Sequence, residues 1–136
     1  MYEYLNDRVD INSILPHISK FTYKHELDNV SFNLCSLRLN TFKFKGLDCV
    51  CCGRKGTHFR IQRTKNSNEN YHIGLWSDDG IQMTKDHIIP KSFGGADNLN
   101  NMQTMCDRCN SKKSNKISIY DILKGEFRKN CEVIFN

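Results

Sequence analysis

Residues 86–113 read DHIIPKSFGGADNLNNMQTMCDRCNSKK. Asp86 and His87 lie within an apolar run, IQMTKDHII over 81–89, that predicts a strand. Pro90, Gly94 and Gly95 then punctuate a loop over 90–98. Neighbours on a strand point to opposite faces, so Asp86 and His87 serve one site only where the strand ends or bends, which this loop permits. Aspartate is a ligand for hard cations, and histidine accepts a proton near neutral pH. Asn101 opens a second short strand over 101–105. Asn110 follows Cys109 directly at the start of an expected helix, where its amide oxygen can share a divalent ion with Asp86. Arg108, Lys112, Lys113 and Lys116 crowd that helix, and its N-terminus together with these cations favours a phosphate. The plainer reading of the basic residues is a solvated helix face. Asp86, His87, Asn101 and Asn110 beside a basic helix form an assembly able to hydrolyse a phosphodiester.

Two cysteine pairs flank this stretch. Cys49 and Cys52 form one C-x-x-C, and Cys106 and Cys109 form another, 54 positions from Cys52 to Cys106. Each short turn aims two thiolates at one ion, so the two pairs point to a tetrahedral structural zinc. Cys51 competes with Cys49 and Cys52. The outer two keep the x-x spacing, and Gly53 follows Cys52 where a knuckle needs a permissive backbone. Cys35 and Cys131 read as buried or free thiols.

Upstream, Asp10 caps an expected helix over 10–21 that Pro16 kinks or splits. The stretch 36–45 (SLRLNTFKFK) pairs Leu39 with Phe42 and ends in lysines before Gly46, a helix stop signal, although its alternation also permits a strand. Strands are expected over 59–63 and 71–76. A turn at 77–80 suggests that the strand ending at Trp76 forms a hairpin with the run 81–89. His58 and His72 read as strand histidines. A final helix is expected over 118–124, capped by Ser118.

The chain has 136 residues, enough for one domain with a small appendage. Twenty Lys and Arg against 15 Asp and Glu leave a net charge of +5, permissive for nucleic acid but only mildly basic. No apolar run spans a bilayer, and residues 1–8 lack the basic and apolar parts of a signal peptide, so a cytoplasmic protein without a membrane partner is expected. Seven cysteines, an odd count, argue against a disulfide scaffold.

With these residues in view, the segment 86–113 resembles the HNH endonuclease family. It follows D-H-I-x-P-x-S-x-G-G, then N-x-Q, then C-x-x-C-N-x-x-K, with the upstream C-x-x-C-G as the zinc half. The resemblance covers roughly residues 47–117, and in size and motif style the chain is similar to small phage or prokaryotic HNH proteins. It implies an α+β fold with a ββα-metal (His-Me finger) core and a zinc knuckle over 46–136, ending in a C-terminal helix. Residues 1–45 would be a mainly helical N-terminal extension that binds DNA, mediates dimerisation or braces the fold. The resemblance also implies His87 as general base, Asp86 and Asn110 as ligands of one divalent cation, and Asn101 as the residue that holds the loop and orients His87. Asparagine at the third motif position implies two protein ligands and favours Mg²⁺ or a similar hard ion. The implied activity is a metal-dependent endonuclease, acting on DNA. An RNA-cutting HNH enzyme and a non-catalytic zinc-knuckle binding module are the alternatives.

Overall fold

The computed structural model describes residues 1–113. In chain order the elements are β1 (Tyr2–Asp10), α1 (Ile11–Ile14), a 3-10 turn (Leu15–His17), β2 (Lys24–Leu27), β3 (Val30–Asn33) and α2 (Leu37–Lys45). Then follow β4 (His58–Thr64), β5 (His72–Trp76), β6 (Met83–His87), 3-10 turns at Lys91–Phe93 and Leu99–Asn101, β7 (Met102–Cys106) and α3 (Asp107–Lys113). The strands form a three-stranded sheet in the order β1-β4-β5 and two antiparallel hairpins, β2-β3 and β6-β7. Among the described residues no helix is long and apolar enough to cross a membrane. The expected helix over 118–124, Lys116 and Cys131 lie outside the described residues.

Local chemistry explains several boundaries. The Asp10 side chain accepts the Asn12 N–H at 2.9 Å and starts α1. Pro16 then divides the expected helix, leaving one α turn followed by a 3-10 turn. Ser36 Oγ accepts the Leu39 N–H at 3.1 Å and caps α2. Helix wins over strand there because Leu39 and Phe42, one turn apart, are both buried, whereas Phe44 is exposed. Asp28 and Asn29, at φ 49° and 64°, form the two-residue turn joining β2 to β3, with the positive dihedrals such a hairpin requires.

The N-terminal segment is not mainly helical. Its longest element besides α2 is β1, which pairs antiparallel with β4 from Tyr2 opposite Thr64 to Asp10 opposite His58. Residues before and after position 46 thus share one sheet. β1 cannot be read from periodicity, because YEYLNDRVD has no apolar alternation and the strand is irregular twice, between Tyr4 and Val9.

The expected hairpin of β5 with β6 does not form. β5 pairs with β4, while β6 pairs with β7, placing Asp86 opposite Gln103 and His87 opposite Met102. Only a single bridge, Trp76 to Gln82, joins β5 to the start of the next strand. Ser77 holds the crossing, accepting the Ile81 N–H on Oγ at 3.0 Å. The competing demand is burial: Met83 and Cys106 are both under 2% exposed, and pairing β6 with β7 places them opposite each other.

One core joins these parts. Ile14, Ile18 and Leu34 from the N-terminal segment meet Phe42, Phe59, Ile61 and Leu75. Each such side chain contributes about 1.5–3 kcal/mol through removal from water. α2 packs against β7, so the N-terminal segment directly supports the strand that carries Gln103 and leads into α3.

Candidate active site and cysteine cluster

β6, β7 and α3 follow one another as strand, strand and helix, and the stretch from 86 to 110 lies along them. β6 ends at His87, which places Asp86 on the buried side of the strand while His87 stays partly exposed. Asp86 Oδ2 accepts Gln103 Nε2 at 2.8 Å from directly across the hairpin and Lys113 Nζ at 2.5 Å from α3. Lys113 Nζ also donates to the His87 carbonyl at 2.5 Å.

The sequence places Lys113 among the cations that face a phosphate backbone. The structure corrects this: Lys113 is fully buried, and its ammonium closes the base of the site. The reason is helical geometry, since Asn110 and Lys113 lie three residues apart and share the face turned to β6. Lys113→Met leaves the Asp86 carboxylate buried without its cation. It is expected to destabilise the fold by about 3–5 kcal/mol, read as a lower midpoint in urea unfolding. Arg108 and Lys112 are exposed on the same helix.

His87 Nε2 lies 2.5 Å from Asp97 Oδ1, and Asp97 Oδ2 lies 2.8 Å from Lys91 Nζ. Hydrogen bonds from Lys91 and then His87 hold the Asp97 carboxyl down at about 2. Asp97 is therefore a pure acceptor at neutral pH. In neutral His87 the proton must sit on Nε2, and Nδ1 carries the lone pair. Sequence reasoning misses Asp97 and Lys91. Their only sequence signal is position, inside the punctuated loop that follows the histidine.

Asn101 holds that loop closed. Its Oδ1 accepts the Ile89 N–H at 2.9 Å, and its Nδ2 donates to the carbonyls of Ile89 at 3.1 Å and Ala96 at 2.9 Å. Asn101 ends a 3-10 turn capped by Asn98 and does not open the strand, which begins at Met102. Gly95 lies inside the same closure. A Cβ there would sit 1.7 Å from the Ile89 carbonyl oxygen and 3.0 Å from Asn101 Nδ2. Backbone cannot yield cheaply to such an overlap. Gly95→Ala is expected to cost about 1–3 kcal/mol and to displace His87, so thermal unfolding and activity should fall together.

Asn110 is partly buried and donates from Nδ2 to Thr84 Oγ1 at 2.8 Å. Thr84 and Asp86 are two apart on β6 and share a strand face, so Asn110 lies over the face that carries Asp86. With Nδ2 occupied by Thr84, the amide oxygen is the donor Asn110 offers. A carboxylate and an amide oxygen are the hard donors that suit Mg²⁺ or a similar cation.

The cysteine cluster lies at the other end of the hairpin. The Sγ atoms of Cys49, Cys52, Cys106 and Cys109 all lie within 4.8 Å of one another. Tetrahedral zinc with bonds of about 2.3 Å separates its sulfurs by about 3.8 Å, so this cluster can hold a zinc ion. Cys51, the competitor on sequence, is not in the group. Cys49 to Gly53 forms a tight turn, with the Gly53 N–H donating to the Cys49 carbonyl at 3.0 Å and Gly53 at φ 78°.

Arg54, also silent in the sequence, donates from Nη1 to Cys106 Sγ at 3.3 Å and is anchored by Asp79 at 3.1 Å. Burial raises the Cys106 thiol, but hydrogen bonds from Cys109 and then Arg54 outweigh it and bring it down to about 7. Burial pushes the thiols of Cys49 and Cys109 up instead.

Comparison with known proteins bears on the same stretch: residues 78–120 match the family described as HNH endonuclease. This segment, about a third of the chain, is similar to the HNH endonuclease family. No curated protein and no solved structure matches the chain. The HNH segment takes in β6, β7 and α3 together with every contact described around Asp86 and His87.

Proposed function

We propose that this HNH protein is a metal-dependent endonuclease that hydrolyses phosphodiester bonds, with DNA as its substrate. The observation that carries the reading is His87 at the strand end, its Nε2 tied to an ionised Asp97 and its neighbour Asp86 facing α3. His87 acts as general base: Nδ1 takes a proton from water, and the resulting hydroxide attacks phosphorus in line as the bond to the 3′ oxygen breaks, that oxygen leaving to take a proton from solvent. Asp97 holds the ring and stabilises the imidazolium that forms. Asn101 holds the loop that carries both groups. Asp86 and Asn110 are the residues that would hold one divalent cation, which when bound supplies charge stabilisation for the transferring phosphoryl group. Lys113 fixes the Asp86 carboxylate from below, and Gln103 fixes it from across the hairpin.

The four cysteines would hold one structural zinc and take no part in the chemistry. Exposed Arg108 and Lys112 would meet the phosphate backbone on the α3 side. A small, mildly basic chain of this kind suits a phage or prokaryotic setting and a cytoplasmic location.

The test is cleavage of supercoiled plasmid with Mg²⁺, Mn²⁺ or EDTA, with a single-stranded RNA of mixed sequence as a second substrate. Metal-dependent nicking or linearisation is the expected result. Cleavage of RNA alone would reassign the substrate. No cleavage of either by zinc-loaded protein under any metal would leave a nucleic-acid-binding zinc-knuckle module.

A further inference from the structure

A second charged concavity lies in the part of the chain that the HNH segment does not reach. The β2-β3 hairpin, the start of α2 and the start of β5 enclose a cavity of about 310 Å³. Lys24, Arg38 and His72 line it together with Ser31, Ser36 and Tyr71, and no aspartate or glutamate is among its lining residues. It shares no lining residue with the Asp86–His87 site.

Arg38 is the telling group. Its Nη2 donates to the Ile73 carbonyl at 2.6 Å, while its Nε is buried and has no hydrogen-bond partner among the described residues. Desolvation lowers its affinity for a proton, and no carboxylate offsets this. Arg38 is half-buried; a partly desolvated guanidinium without a counter-charge is costly, and its planar fork is matched to the oxygens of a phosphate. Two features of the same wall favour an anion. Ser36 caps α2, a nine-residue helix whose positive end opens on the cavity. Lys24 is exposed at the rim. Glu69, one residue before the lining Asn70, turns its carboxylate to the Thr64 N–H.

We propose that this cavity binds a phosphate group of a nucleic-acid strand, with Arg38 and Lys24 as its cationic ligands. The choice of a strand as the source rests on the nuclease reading; the phosphate site itself rests on the cavity. It would give the N-terminal segment a substrate-holding role separate from cleavage.

The test uses the full zinc-loaded chain in the absence of any added divalent cation. It follows the Arg38 Nε–H signal by NMR during titration with inorganic phosphate and then with a single-stranded DNA oligonucleotide. The expected result is a shift with phosphate that the oligonucleotide reproduces by competition. Binding of the oligonucleotide, read by fluorescence anisotropy, should weaken about tenfold in Arg38→Gln, the equivalent of one charge-assisted hydrogen bond. Arg38 also supports β5, so Lys24→Gln serves as the variant that keeps the fold; it should lower the slope of log affinity against log salt by about 1. No movement of Arg38 with either titrant would overturn the site. A phosphate shift that the oligonucleotide leaves unaltered would overturn the strand as its occupant. Neither outcome depends on cleavage, so failure here and failure of the nuclease reading are separable.

Discussion

His87→Ala is expected to bind nucleic acid as the wild type does and to cleave it about 10²–10⁴ times more slowly, the range that a general base contributes. The substitution removes only the imidazole. The backbone of His87 keeps its pairing with Met102, and its carbonyl keeps the Lys113 ammonium. Asp97 keeps Lys91. The fold around the site therefore has little reason to change, and circular dichroism should be unaltered. The appropriate measurement is single-turnover cleavage of supercoiled plasmid in Mg²⁺, alongside anisotropy binding of a labelled duplex. Unchanged cleavage by a folded His87→Ala protein would exclude His87 as the base. A loss of binding in step with cleavage would make it a substrate contact instead.

Removal of zinc is expected to unfold the hairpin and helix that carry the site. Structural zinc sites are worth about 10 kcal/mol or more in apparent binding free energy, comparable with the roughly 5–15 kcal/mol stability of a whole domain. Here the ion would tie the turn at 49–53 to the end of β7 and the first turn of α3, joining segments more than fifty residues apart. Other ties exist: the Val50 N–H donates to the Thr104 carbonyl at 3.0 Å, and Thr104 Oγ1 donates to the Gly46 carbonyl at 2.5 Å. Individually these contribute about 1 kcal/mol each and cannot replace a metal site.

Metal analysis should find one zinc per chain. A strong chelator, or Cys106→Ser, should produce a large fall in thermal midpoint and loss of amide protection in β6, β7 and α3. The pH dependence has a definite sign. Zinc binds thiolates, and burial raises the thiols of Cys49 and Cys109, so protons must leave as the ion enters. Affinity should rise with pH and fall on acidification, with Cys106, brought down to about 7, the last of these thiols to regain its proton. An unchanged midpoint after verified zinc removal would refute the structural role.

The cluster and the stretch from Asp86 to Asn110 are legible because both depend on short spacings. C-x-x-C brings two thiols to one turn whatever surrounds it, and Asp86-His87 followed by proline and paired glycines marks a strand end by local sterics alone. α2 is legible in part: the spacing of Leu39 and Phe42 and the lysines before Gly46 are local signals, but only burial of Leu39 and Phe42 on one face excludes a strand. Lys113 misleads because a lysine on a basic helix reads as solvated. Its sequence neighbours say nothing about the buried carboxylate that waits across the groove.

By itself the sequence determined the chemistry that proximity along the chain can specify: four thiols in two turns, a carboxylate beside an imidazole, an amide at the head of a helix, and the cap that starts α1. Tertiary structure alone decided which strands pair. β1 with β4 and β6 with β7 are non-local choices, set by which apolar faces can be buried together, and a turn signal such as that at 77–80 cannot outweigh them. It also decided the charged partners, Lys113 for Asp86 and Asp97 for His87. The physical reason is the same in each case. An ion pair or a sheet ladder is formed by groups that meet in space, and the free energy that brings them together comes from burying the core that β1, β4, α2 and β7 share.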